Sequence, residues 1–145
     1  MVGYWSRKGF HAVNAQAVCD SNCKFAFASC RCAGSAHGST AWPVAELCKA
    51  IKEGRLPDLV WIAADDAFER SNQALAPWPG KVELLKDSCN CHLPPLRARI
   101  EQAFGMLVKR WGILRKPFMA SLEPSRKFFL ACAKLRSFFI DEREV

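Results

Sequence analysis

The 145-residue sequence lacks the long hydrophobic segments of membrane and secreted proteins. No run reaches the roughly 18 apolar residues of a transmembrane helix. The opening "MVGYWSRKGF" is charged within its first eight positions and has no apolar signal-peptide core. Internal repeats and low-complexity tracts are also absent. We therefore expect one globular domain over residues 1–145, with neither a secretion signal nor a membrane span.

The two-residue gap between cysteines that is common in zinc knuckles is missing as well. The eight cysteines instead include three loosely spaced pairs: Cys19 and Cys23, Cys30 and Cys32, and Cys89 and Cys91 beside His92. In a chain without a secretion signal they should be reduced. Cys30 and Cys32 alternate within an apolar strand pattern, which favours small buried thiols. A zinc-stabilised module is the alternative.

Acidic residues are outnumbered, with 14 Asp and Glu against 21 Lys and Arg, for a formal net charge of +7 and a pI near 9.1. Such a balance favours polyanionic partners, with nucleic acid as the leading class. The basic residues near aromatic Trp111 are Arg97, Arg99, Lys109, Arg110, Arg115 and Lys116, and Arg7 and Lys8 lie near the start. They predict contacts to phosphates without base specificity, and the ordinary charged face of a surface helix is the alternative.

Hydrophobic periodicity predicts a mixed α/β order. Residues 10–20 and 24–34 predict an antiparallel hairpin, and residues 41–53 predict a helix capped by Ser39 or Thr40 and ended by Gly54. The apolar run "DLVWIAAD" (58–65) is typical of a strand buried on both faces, and it places Asp65 and Asp66 at its carboxyl end.

The second half of the sequence predicts a loop and two helices. Four prolines between 74 and 95 favour a loop with at most one helical turn. From 96 to 114 an apolar stripe predicts an amphipathic helix, formed by Ile100, Phe104, Leu107, Trp111 and Leu114. A last helix opens at Pro124, with Phe128, Cys132, Leu135 and Phe139 on one face. This order favours an α/β layer over a helical bundle.

Two carboxylates stand where chemistry is plausible. Asp65 ends a strand and Glu101 lies at the edge of the apolar stripe, with Gly105 one turn later leaving room beside it. Carboxylates from different elements can hold Mg²⁺ ions in phosphoryl-transfer sites. From the residues alone, a strand-ending turn at Asp65 and a solvated Glu101 paired with Arg97 remain the alternatives.

The segment "GSAHGST" (34–40) is rich in glycine and hydroxyl residues but has no phosphate-binding lysine. His37 and Ser39 could be a base and a nucleophile only if their side chains met, which a separation of two residues does not ensure. We interpret this segment as a helix start.

Taken together, six segments of the chain resemble the Harbinger-type DDE transposase nucleases and their domesticated relatives. The matching segments, in the family's order, are "GYWSRKGFHAVNAQAVCD", "GSAHGST", "WIAADDAF", "APWPG", "LRARIEQAFGMLVKRWGIL" and "ACAKLRSF". The resemblance implies an RNase H-like fold and divalent-metal-dependent cutting and joining of DNA strands. It makes Asp65 and Glu101, which 35 residues separate, the catalytic and metal-binding acids, with Mg²⁺ or Mn²⁺ as the cofactor.

Departures from the family's pattern imply a decayed enzyme. Gly38 stands where relatives normally carry an aspartate, and the family's first catalytic aspartate belongs to a central strand before "YWSRKG". We therefore expect a partial DDE nuclease domain, the C-terminal two-thirds of the fold without its first strand. Its catalysis should be impaired, with a non-catalytic DNA- or protein-binding remnant as the alternative. The resemblance further implies DNA as partner, an accessory DNA-binding protein and a nuclear location.

Overall fold

A computed structural model of the protein describes residues 12–80, 83–116 and 121–142. The chain divides into two compact units. The hairpin unit comprises Met1–Ala36 and Arg99–Val145, and the middle unit comprises His37–Ala98. Over the described ranges, no helix is both long and apolar enough to cross a membrane.

The predicted hairpin is confirmed. Strand β1 (Val13–Cys19) pairs antiparallel with β2 (Phe25–Ala33), and Ala17 lies opposite Ala28. In the turn, the Asp20 carboxylate accepts the backbone N–H groups of Asn22 and Lys24, both at 2.9 Å. An acidic side chain that binds its own turn in this way fixes where the two strands reverse.

Cys23, in the same turn, combines two features that rarely occur together. Its φ of +59° lies in the left-handed region, and its side chain is only 4% exposed. The thiol lies 3.6 Å from the carbonyl oxygen of Arg99, to which it can donate a weak hydrogen bond. The turn is thereby attached to the helix that carries Arg99.

Two helices complete the hairpin unit. They are the last part of α3 (Leu84–Arg110), which is followed by a 3-10 turn (Gly112–Arg115), and α4 (Leu122–Asp141). The core of the unit contains Cys23, Phe25, Ala103, Leu107, Cys132 and Ala133. All five residues of the predicted stripe belong to or pack against this core, so the apolar stripe is confirmed. The predicted helix bounds of 96–114 are wrong, because α3 begins at Leu84 and ends at Arg110, and Leu114 lies in the 3-10 turn.

The predicted apolar face of α4 is confirmed only over the first half of the helix. Phe128 and Cys132 reach the core, whereas Leu135 and Phe139 are 47% and 39% exposed. Toward its end the helix makes a polar contact instead, because the Ser137 hydroxyl bonds both the N–H and the carbonyl of Phe25 at the edge of β2. An edge strand supplies free backbone groups for such contacts.

The single helix predicted over 41–53 is wrong in its first turn. The structure has a short helix α1 (Gly38–Ala41) and a separate α2 (Glu46–Lys52). Pro43 lies between them and disfavours the helical conformation at Trp42, which precedes it. Neither Ser39 nor Thr40 caps α2, whose N-cap is Ala45, while Gly54 does follow its end with a φ of +65°.

The strand predicted over 58–65 is also wrong in extent and burial. Strand β3 comprises Ile62–Ala63 and pairs in parallel with β4 (Ala74–Leu75). Leu59 and Trp61 are 86% and 62% exposed. The apolar run has the composition of a buried strand, but only two of its residues pair with another strand. Without a layer of other residues to cover them, apolar side chains remain exposed to water.

The prediction of a loop over 74–95 is wrong from residue 84 onward, where the first 12 of the 27 residues of a helix lie. Helix α3 begins at Leu84 and continues through Pro94 and Pro95. Each proline removes one N–H donor, so the carbonyls of Asn90 and Cys91 lose their partners four residues on. Both residues lie on the exposed or half-exposed surface, where water can satisfy those carbonyls. The order of elements is mixed α/β with small sheets.

Candidate functional site

Asp65 follows a short parallel strand pair in the middle unit. The backbone N–H of Ala64 donates to the carbonyl of Leu75 at 2.9 Å, which aligns the chain just before Asp65. The Asp65 carbonyl then accepts the N–H of Phe68, and its carboxylate oxygen Oδ1 accepts the N–H of Asp66 at 2.9 Å. The strand end and the turn together fix the carboxylate, as the turn interpretation of Asp65 predicts.

Arg97 provides a cationic partner for Asp65. Its Nη2 lies 2.5 Å from Asp65 Oδ1, with the arginine side chain 29% and the aspartate side chain 46% exposed. Both residues belong to the middle unit. The alternative interpretation, in which a solvated Glu101 pairs with Arg97 one helical turn away, is wrong because the guanidinium binds Asp65 instead. Helical periodicity identifies residues that lie one turn apart, whereas Arg97 and Asp65 are far apart in the chain.

Glu101 belongs to the hairpin unit and is exposed on α3. It forms no ion pair with any residue in the described part of the chain. Around Gly105, one turn later, a Cβ atom would meet nothing within 4 Å, and the same holds for Gly112. The expected room beside Glu101 is therefore present on its own helix.

The segment around Gly38 forms the start of α1. His37 Nδ1 lies 2.9 Å from Ser39 Oγ and 3.4 Å from the Ser39 backbone nitrogen. The two side chains thus meet, which sequence reasoning did not expect. The ring nitrogen faces the first N–H groups of the helix, as an N-cap acceptor does. This geometry supports the interpretation of the segment as a helix start.

The predicted phosphate contacts fall mostly in the hairpin unit. Arg99, Lys109, Arg110, Arg115 and Lys116 are all exposed, whereas Arg7 and Lys8 lie outside the described residues. Arg99 donates to the side chain of Gln102 at 3.2 Å. The Arg110 guanidinium lies 4.4 Å from the ring centre of Phe139 and 5.6 Å from that of Trp111. A stacked guanidinium keeps its N–H edge available for an anion.

A second contact that sequence reasoning missed holds the proline-rich loop. The Asn90 side chain accepts the N–H of Trp78 at 2.8 Å and donates to its carbonyl at 3.0 Å. The Arg70 guanidinium covers the Trp78 ring at 3.5 Å. An amide that bonds both backbone groups of one residue imitates a strand partner, so Asn90 fixes "APWPG" against α3. In the sequence, the feature that could have indicated this contact is the single asparagine between two cysteines.

The cysteines are divided between core and surface. Cys23, Cys30, Cys48 and Cys132 are buried, as the small-thiol interpretation predicts, and Cys89 and Cys91 are exposed on α3. Burial raises the pKa of Cys30 to about 11, although the charge of Arg126 opposes the rise. Burial also raises the pKa of Cys132. A raised pKa keeps a thiol protonated, which disfavours metal binding and nucleophilic attack.

The residues present do not fit the metal centre that the resemblance implies. A two-ion site needs several oxygen ligands around each cation. Asp65 Oδ1 already accepts from the Arg97 guanidinium and a backbone N–H. Within residues 12–80, 83–116 and 121–142, no three His, Cys, Asp or Glu side chains form a group that could hold an ion. We therefore derive no reaction step through a metal.

Comparison with known proteins identifies the family. No curated protein and no solved structure matches the chain significantly. A family model described as DDE superfamily endonuclease matches residues 2–136. Members of this family are generally dependent on divalent metal ions and act on DNA. Since the match extends over nearly the whole sequence, the chain belongs to the DDE superfamily endonucleases.

Proposed function

We propose that the protein is a Harbinger-type DDE nuclease domain whose own cleavage of DNA phosphodiester bonds is impaired. The family match over residues 2–136 carries the assignment to this superfamily. The order of six short motifs, from "GYWSRKG" to "ACAKLRSF", supports the Harbinger type. The proposal includes an RNase H-like architecture, Asp65 and Glu101 as the family's acids, a nuclear location and an accessory DNA-binding protein.

Two features of the candidate acids support impairment. Gly38 opens α1 at a position where the resemblance to the Harbinger-type nucleases implies an aspartate, and glycine has no side-chain oxygen. Asp65 is engaged by Arg97 at 2.5 Å. A transition state with charge on several phosphate oxygens requires cationic stabilisation at fixed positions. The first position has no carboxylate, and at the second the carboxylate oxygen Oδ1 already binds a cation of the chain itself.

A plasmid-nicking assay in Mg²⁺ and in Mn²⁺ tests this proposal. We expect no nicking that depends on Glu101 or Asp65. The wild-type chain is compared with Glu101→Gln, with Asp65→Asn and with Asp58→Asn, a matched control at an exposed carboxylate of the middle unit. Nicking that disappears in Glu101→Gln and persists in Asp58→Asn would refute impairment.

DNA binding without cleavage is the second candidate, and the charge distribution favours it. The hairpin unit contains 14 of the 21 Lys and Arg residues but six of the 14 Asp and Glu residues. The middle unit therefore has slightly more acidic than basic residues. Lys109, Arg110, Arg115 and Lys116 are exposed at the end of α3 and in the turn that follows. A concentration of positive charge on one unit is the arrangement that attracts a phosphate backbone.

The salt dependence of duplex binding tests this second function. Each phosphate contact contributes about 0.9 to the slope of log affinity against log salt concentration. We expect Arg115→Gln to lower that slope by about one contact, measured by fluorescence anisotropy. Lys49→Gln, an exposed lysine of the middle unit, should leave it unchanged. Equal slopes in the two variants would contradict binding through the hairpin unit, whatever the outcome of the nicking assay.

A further inference from the structure

The ion pair between Arg97 and Asp65 is the strongest unexplained contact near the candidate acids. Asp65 Oδ1 accepts two donors, Nη2 of Arg97 at 2.5 Å and the N–H of Asp66 at 2.9 Å. Arg97 is the more buried partner, with 29% of its side chain exposed. A guanidinium stays charged at any physiological pH and binds carboxylates with directed N–H groups. Asp65 is thus bound to a permanent cation of its own chain.

We propose that Arg97 takes the place of a divalent cation at Asp65, so that the native chain does not bind Mg²⁺ or Mn²⁺ through this carboxylate. The proposal rests on the proposed function, since it concerns the acid that the family assigns to metal. A metal ion at Asp65 would have to displace the guanidinium or bind beside it. In the second case the two positive charges would repel each other at short range.

Two further acids lie close to Asp65 in the chain of the middle unit. Glu69 is four residues after Asp65, and its carboxylate pairs with Lys52 at 3.2 Å. Asp66 donates its own N–H to Asp65 and is exposed. Removing the Arg97 charge should therefore create a cation site that depends on Asp65. We expect the Kd for Mn²⁺ to fall by roughly threefold to fivefold, as removal of a like charge from a partly solvent-screened pair implies.

Titration with Mn²⁺, followed by the electron paramagnetic resonance signal of the free ion, tests the inference on the full chain without DNA. The variants are Asp65→Asn, Arg97→Gln, the double variant Arg97→Gln/Asp65→Asn, and Arg99→Gln as the matched control. Arg99 lies two residues later on α3 and bonds Gln102. We expect identical isotherms for wild type, Asp65→Asn and Arg99→Gln. Arg97→Gln alone should gain a site, and the double variant should lose it.

Two results would overturn the inference. One is Mn²⁺ binding by the wild-type chain that Asp65→Asn abolishes. The other is a folded Arg97→Gln variant, checked by far-UV circular dichroism, that gains no site. If Arg97→Gln does not fold, the comparison of wild type with Asp65→Asn still decides the matter. The titration contains no DNA, so its failure is distinguishable from failure of the proposed nuclease or DNA-binding function.

Discussion

The buried thiol of Cys30 makes the stability of the protein depend on alkaline pH. Its side chain is 3% exposed, and burial raises its pKa from 9.0 to about 11. In the unfolded chain the thiol ionises near pH 9, while in the folded chain it stays protonated. The folded state therefore gains a stabilising contribution below pH 9, which is lost as the pH rises toward 11.

The loss can be calculated from the two pKa values. It amounts to about 1.4 kcal/mol at pH 10 and about 2.3 kcal/mol at pH 11. Other thiols and lysines also titrate there, so the test compares variants. The free energy of unfolding is measured by urea titration, with reductant, at pH 7.5 and pH 10. The stability advantage of wild type over Cys30→Ala should shrink by about 1.4 kcal/mol between these conditions.

Ser29→Ala is the control, because Ser29 precedes Cys30 in β2 and a serine hydroxyl does not ionise in this pH range. Its difference from wild type should stay the same at both pH values. A difference between wild type and Cys30→Ala that changes by less than about 0.5 kcal/mol would refute the reasoning, because it would mean that Cys30 ionises alike in both states.

Four further substitutions test the packing. Leu107→Ala should lower the free energy of unfolding by about 2–5 kcal/mol, because Leu107 is fully buried. Leu135 is 47% exposed, so Leu135→Ala should lower the free energy of unfolding by less than half as much in the same urea titration. Gly34→Ala should destabilise by about 1–3 kcal/mol, because its Cβ would lie 2.7 Å from the Ala12 carbonyl oxygen. Gly105→Ala should instead raise the thermal midpoint, with a gain of about 0.5–1 kcal/mol in helix α3, where the added methyl meets no neighbour.

Local patterns in the sequence predicted the elements that depend on local chemistry. The β1–β2 hairpin follows from two short β-rich segments separated by "SN", and the stripe from Ile100 to Leu114 follows from helical periodicity. These signals suffice because a tight turn and a helical period are both set by residues a few positions apart. The end of α2 at Gly54 was predictable for the same reason.

The remaining features depend on contacts between residues that are far apart in the chain. The run at 58–65 has the composition of a buried strand, yet burial needs a partner, which no composition specifies. The two prolines at 94 and 95 indicate a break, yet α3 continues through them at a solvent-exposed turn. At the candidate site, the turn at Asp65 was predictable from the strand end. Its partner Arg97 was not, because 31 residues separate them and nothing in the sequence specifies that pairing.

The hairpin turn also limits how this protein can vary. At Cys23 the backbone conformation favours glycine or asparagine, since a side chain at a φ of +59° is crowded by its own backbone. The surroundings favour the opposite, a compact apolar side chain that fills space beside α3. Glycine would leave a void, asparagine would bring an amide that needs partners, and valine would be strained. The small thiol fills this space and can donate weakly to the Arg99 carbonyl. This position should therefore tolerate fewer replacements in a mutational scan than the similarly buried Cys132.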